Sequence, residues 1–101
     1  MKNIILACAA GMSTSLLVNK MKKAAAEQNK DVHIEAVPVK AFDGYTGDTD
    51  VLLLGPQVRY MYDEVKSKYE PKGIKVAVID MVDYGMMNGE KVLADAYKMM
   101  E

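Results

Sequence analysis

Four short apolar runs recur along this chain, each followed by a stretch whose apolar residues return at helical spacing. They fall at residues 3–7, 31–37, 50–54 and 75–79. The first and third are apolar at almost every position, the pattern of a strand buried on both faces. The second alternates through Val32, Ile34 and Ala36 and is expected to stop at Pro38. Between the runs, residues 15–28 carry Leu16, Leu17, Met21, Ala24 and Ala25 as one helical stripe, with Lys20, Lys22, Lys23 and Glu27 mostly opposite. Residues 57–69 place Val58, Met61, Tyr62 and Val65 on one helical face, and residues 90–100 do the same with Val92, Leu93, Ala96, Tyr97 and Met100. Residues 40–49 read as a loop with a helical turn near 41–45, residues 71–73 as a turn, and residues 85–89 as a loop.

Buried strands alternating with amphipathic helices imply right-handed βαβ crossovers, hence a parallel sheet covered on both faces. Four strands in 101 residues predict an α/β three-layer sandwich with strand order 2-1-3-4, flavodoxin-like or small-phosphatase-like, in one domain over residues 1–101. A ligand site in such a fold lies beyond the carboxyl ends of the strands, where the strand order reverses. The loops expected there are residues 8–14, 41–49, 55–57 and 80–89.

Composition removes several function classes. A formal net charge of -1 gives no support to nucleic acid or an anionic membrane as the main partner. Cys8 is the single cysteine and His33 the single histidine, which leaves no disulfide framework and no Cys/His zinc cluster. Carboxylate-only metal sites stay open, though no spacing suggests one, and His33 reads as a surface residue. Lys2 and the apolar residues before Cys8 are too short a stretch for a secretory signal, and no apolar run approaches a membrane span. The expected location is the cytoplasm.

Cys8 lies where the first strand ends and the first helix begins. Ala9, Ala10 and Gly11 add little bulk, so backbone N–H groups can approach an anion, while Ser13, Thr14 and Ser15 offer hydroxyl donors and a helix cap. The helix dipole places partial positive charge where a thiolate or its phosphoryl adduct would sit. The bland alternative is a buried cysteine acting as a small hydrophobe. Known motifs fail in informative ways. Gly11-Met12-Ser13-Thr14 resembles the end of a nucleotide P-loop, yet Met12 replaces the lysine and Leu6 the earlier glycine. Thr46-Gly47-Asp48-Thr49 precedes the third strand, where an ordinary turn is the better reading. A cysteine phosphatase needs an arginine at the position of Thr14 to clamp phosphate bidentately. Without it, the loop suits holding a phosphoryl group more than hydrolysing one.

Cys8-Ala9-Ala10-Gly11-Met12-Ser13-Thr14-Ser15-Leu16-Leu17-Val18 closely resembles the active-site segment of enzyme IIB of the bacterial phosphoenolpyruvate-dependent sugar phosphotransferase system (PTS), lactose/cellobiose (chitobiose) family. Leu53-Leu54-Gly55-Pro56-Gln57-Val58-Arg59-Tyr60-Met61 resembles that family's second recognisable segment. The resemblance implies a phosphocarrier in which Cys8 takes a phosphoryl group from a histidine of enzyme IIA. It then yields the group to a sugar bound in the membrane transporter IIC, at whose inner face the carrier docks without inserting, a monomer when free. It also implies a β-linked sugar such as cellobiose, chitobiose or a lichenan fragment, or lactose. Residues 9–15 (Ala9, Ala10, Gly11, Met12, Ser13, Thr14 and Ser15) would form the phosphate-binding loop, with the three hydroxyls as auxiliary donors. The resemblance implies that no metal or organic cofactor is needed. The competing readings are a small cysteine phosphatase or arsenate-reductase-like enzyme, and a non-catalytic anion-binding module.

A carrier must expose its cargo to partners, so apolar residues near the site are candidates for docking. Met12, Tyr84, Met86 and Met87 lie on the expected site-end loops, although Met86 and Met87 suit packing on the sheet edge equally well. Gln57 could support the cysteine loop or cap the helix that it begins. Asp83 could pass for a phosphatase general acid, but a solvated loop aspartate is the default.

Overall fold

A computed structural model describes residues 2–9, 12–44 and 48–100, with the side chains of residues 12, 13, 43 and 44 left undescribed. The elements follow the order β1 (Lys2–Cys8), α1 (Met12–Glu27), β2 (Val32–Pro38), β3 (Val51–Leu54), α2 (Tyr62–Tyr69), β4 (Lys75–Val78), α3 (Met81–Gly85) and α4 (Gly89–Met100). Short 3-10 turns occupy Val39–Gly44, Pro56–Met61 and Glu70–Lys72. The sheet is parallel throughout, in the order β2-β1-β3-β4. The α/β class and the strand order therefore agree with the sequence expectation.

Period-two alternation in the central strands divides the core in two. Ile4 and Leu6 of β1 join Val51 and Leu53 of β3 beneath α1 and α4, where Leu17, Met21, Leu93 and Ala96 close the layer. Ile5, Ala7, Leu52 and Leu54 face the other way, against Phe42, Val58, Val65 and Tyr69. All eight strand residues are at most 3% exposed, which is why these runs lack polar positions. Burying a side chain of this size contributes about 1.5–3 kcal/mol.

Three boundaries moved for physical reasons. β2 runs through Pro38, which pairs with Cys8; it closes an edge strand, where a missing N–H costs little. The expected helix at residues 57–69 is divided. Pro56–Met61 forms a 3-10 turn with Val58 at φ −115°, ψ 21°, and only then does α2 begin. Val58 is 1% exposed, so burying that side chain prevails over a continuous helix. The 80–89 segment is not a plain loop, because Asp80 accepts hydrogen bonds from the Val82 and Asp83 amides and starts α3. Gly73 ends the turn after α2 at φ 90°, a left-handed conformation that glycine adopts without strain. The helical turn expected near 41–45 appears as Val39–Gly44, with Tyr45 outside the described residues.

Candidate active site

The carboxyl ends of β1, β3 and β4 converge, tied by backbone bonds from Gly55 N to Ala7 O and from Ile79 N to Leu54 O, both 2.8 Å. Cys8 closes β1 and is 2% exposed. Burial alone would suit a cysteine that merely packs; its surroundings set it apart. After Ala9 the chain enters α1 at Met12, three residues before the expected start at Ser15. The first four N–H groups of a helix have no partner within it. Those of residues 12–15 thus begin four positions beyond the thiol, an anion-favouring arrangement. Ala10 and Gly11 of the expected phosphate loop, and the side chains of Met12 and Ser13, lie outside the described residues.

Thr14 occupies the position where a cysteine phosphatase carries arginine, and it is fully buried. Its Oγ1 is 3.4 Å from the Tyr84 hydroxyl. Gln57 Nε2 donates to the same hydroxyl at 2.9 Å. Gln57 Oε1 meanwhile lies 2.7 Å from where a Cβ on Gly55 would stand, and Cys8 Cβ lies 3.4 Å from that point. Gln57 therefore lies beside the end of β1 from the β3 side. Its partner there is a side-chain hydroxyl, and the 3-10 turn it enters has no side-chain cap bond.

Tyr84 departs from the expectation of a docking residue. It is 9% exposed and belongs to the α1/α4 core, on the short helix that Asp80 caps. Met87 is half-buried against the same core at φ 55°, whereas Met86 is 73% exposed. Asp83 is no solvated loop residue either. It lies on α3 with a side chain 16% exposed, 3.6 Å from Lys91 Nζ on α4. That ion pair ties Asp83 to α4. His33 is a partly exposed strand residue, 3.1 Å from Glu35. No described group of three or more His, Cys, Asp or Glu could hold a metal ion.

Sequence reasoning missed the inward turn of Tyr84 and the apolar surface around it. Met81 and Val82 are 57% and 64% exposed. With Pro56, Gln57, Arg59, Tyr60, Tyr84 and Gly85, Met81 frames an open depression of about 520 Å³ at the site end of the sheet. The signal available was Asp80, a favoured N-cap type, ahead of residues that can continue a helical turn.

Comparison with known proteins then decides the family. The model described as "PTS system, Lactose/Cellobiose specific IIB subunit" matches residues 3–95. The chain belongs to this family. It is 56% identical to the PTS galactose-specific EIIB component of Lactococcus lactis subsp. cremoris (strain MG1363) and 55% identical to the cellobiose-specific EIIB component of Lactococcus lactis subsp. lactis (strain IL1403). Each alignment covers 98% of this chain and 96% of the relative. A lactose-specific EIICB component of Lactococcus lactis subsp. lactis is 35% identical over 81% of this chain and 14% of its own length.

Solved structures agree. The cellobiose-specific IIB component of Borrelia burgdorferi is 41% identical with a TM-score of 0.80, covering 98% of this chain and 91% of that one. The lactose-specific IIB domain of Streptococcus pneumoniae shares the fold with a TM-score of 0.88 at 22% identity, covering 99% of this chain and 98% of that one. A YwlE mutant from Bacillus subtilis shares it more distantly, with a TM-score of 0.65 at 12% identity over the whole of both chains. The IIB chain described here is thus a sugar phosphotransferase system component, and no helix among its described residues is long and apolar enough to cross a membrane.

Proposed function

We propose that this IIB chain, as one domain over residues 1–101, is a phosphocarrier with Cys8 as its covalent relay. The Cys8 thiolate attacks phosphorus on a phosphohistidine of enzyme IIA; the S–P bond forms as the N–P bond breaks, and the imidazole leaves. A sugar hydroxyl held by IIC then attacks the same phosphorus. An O–P bond forms, the S–P bond breaks, the hydroxyl proton passes to a base or solvent, and the thiolate returns. Backbone N–H groups of residues 10–15 hold the equatorial oxygens, with the Ser13 and Ser15 hydroxyls as auxiliary donors. Catalysis of this kind is mostly positioning and charge stabilisation.

The observation that carries the reading is Thr14, buried and uncharged at the arginine position of a phosphatase, in the first turn of the helix that follows the Cys8 thiol. A phosphate loop with no guanidinium at that position favours keeping the phosphoryl group over releasing it to water. Relatives that unite IIB and IIC in one EIICB chain support IIC as the second partner, hence a place at the cytoplasmic face of the membrane. Relatives named for cellobiose and galactose support a β-linked disaccharide or lactose-type sugar. Exposed Met86, with Met12 on the first turn of α1, supplies docking contact.

Incubation with phosphorylated IIA of a lactose/cellobiose-type system should add one phosphate, detected by intact mass. Cys8→Ser should abolish the addition. Wild-type protein that gains no phosphate from such a donor would overturn the reading, and steady turnover of an aryl phosphate would point to a phosphatase.

A further inference from the structure

We propose that Tyr84 is a positioning residue for phosphoryl transfer, its buried hydroxyl tying the first turn of α1 to Gln57 across the end of the sheet. The proposal rests on Cys8 carrying the phosphoryl group. The Tyr84 ring is enclosed in the α1/α4 core, so its hydroxyl has little freedom. That hydroxyl accepts the Gln57 amide at 2.9 Å, and a phenol O–H can donate as well as accept. Thr14 Oγ1 stands 3.4 Å away. One phenol thereby links residues that lie 70 and 27 positions from it along the chain.

The position of the phenol is itself fixed from both sides. Asp80 caps α3 through the Val82 and Asp83 amides. Lys91 of α4 reaches Asp83 of α3 at 3.6 Å. A helix of five residues would not hold its place without such anchors. Their effect is to present a single hydroxyl at a set point between two walls of the site.

Both walls touch the chemistry. Thr14 is the third residue of α1, so holding it orients the N–H groups that face an anion at Cys8. Gln57 lies against Gly55, which also abuts Cys8. In a site that works by alignment, a displacement of an ångström or less lowers the rate. The 3.4 Å separation is longer than an ordinary hydroxyl–hydroxyl bond. Catalytic hydrogen bonds that are long in the empty site commonly tighten on occupancy, and a phosphoryl group on Cys8 supplies the charge that draws α1 inward.

The test compares Tyr84→Phe, Thr14→Val and Thr14→Ser with wild type for phosphate uptake from phosphorylated IIA, phosphocysteine lifetime and melting temperature. Tyr84→Phe should still take one phosphate on Cys8, with uptake slower or lifetime shorter by about three- to ten-fold. Thr14→Val should match it, Thr14→Ser should behave as wild type, and the Tyr84→Phe/Thr14→Val double variant should be no worse than either single change. Unchanged uptake and lifetime in Tyr84→Phe, with only a lower melting temperature, overturns the positioning role. So do effects of the two changes that simply multiply. If Tyr84→Phe fails to fold, the contrast between Thr14→Ser and Thr14→Val decides alone. Wild-type protein that takes no phosphate overturns the carrier reading itself, a result distinct from a normal wild type beside an equally active Tyr84→Phe.

Discussion

Gln57 folds back over Gly55, so that its Oε1 lies 2.7 Å from the place a Cβ on Gly55 would occupy. The glycine is not needed for its backbone, since φ −63°, ψ 151° is open to any residue. It is needed for the space above it. Gly55→Ala should therefore change stability by less than about 1 kcal/mol, because the colliding group is the movable end of a side chain and alanine stiffens the unfolded chain. Displacing Gln57 from Tyr84 should nevertheless slow phosphate uptake, on the order of tenfold. Thermal unfolding and uptake from phosphorylated IIA check the two halves. Adding Gly55→Ala to Gln57→Ala should slow uptake no further, and an additional loss would place the damage elsewhere.

Gly89 gives the opposite balance. A Cβ there would stand 2.6 Å from the backbone of both Lys20 and Met21, and α1 has no local way to yield. Gly89→Ala should destabilise the protein by about 1–3 kcal/mol, the usual cost of overpacking, slightly offset by alanine's better helix propensity. Denaturant titration measures it. Phosphate uptake well below the melting temperature should be unchanged, because Gly89 starts α4 on the flank away from Cys8.

Much of this architecture was legible because burial on both faces leaves a plain signature. Val51-Leu52-Leu53-Leu54 admits no polar residue when both sides are covered, and that alone places β3 inside the sheet. The position of Cys8 followed from the end of the first such run. The two segments that misled, residues 56–61 and 81–85, owe their shapes to contacts distant in sequence. Val58 bends its turn to reach the core around Ile5 and Leu52. Tyr84 could be read as surface because its partners, Thr14 and Gln57, are brought to it only by the folded sheet. Thr14 likewise read as a hydroxyl donor to phosphate, and local pattern holds nothing about which side of the first helical turn faces the core.

Asp80 links that missed helix to the site. Its carboxylate accepts two amides at 3.0 and 3.1 Å, and Asp80→Ala should cost about 1 kcal/mol, as loss of an N-cap does. The loss should concentrate in α3. Hydrogen exchange at the Val82, Asp83 and Tyr84 amides should accelerate more than in α4, while Asp80→Asn should keep most of the protection. Uniform acceleration across both helices would show that Asp80 stabilises the molecule globally and does not specifically anchor Tyr84.

Met86 offers a way to separate docking from chemistry. It is 73% exposed at the C-terminal end of α3, whose Met81 and Val82 are also exposed. Exposed apolar side chains close together suit partner contact, and methionine adapts to more than one surface. Met86→Asp removes apolar contact and adds charge at a position with no packing role, so the melting temperature should move little. If IIA docks there, the donor concentration for half-maximal phosphate uptake should rise about fivefold or more, the size of a contributing interface residue. The maximal rate should stay near wild type, because Cys8, Thr14 and Gln57 are untouched. An unchanged donor dependence with slower transfer to sugar in IIC-containing membranes would assign the patch to IIC instead; no change in either step would remove Met86 from both interfaces.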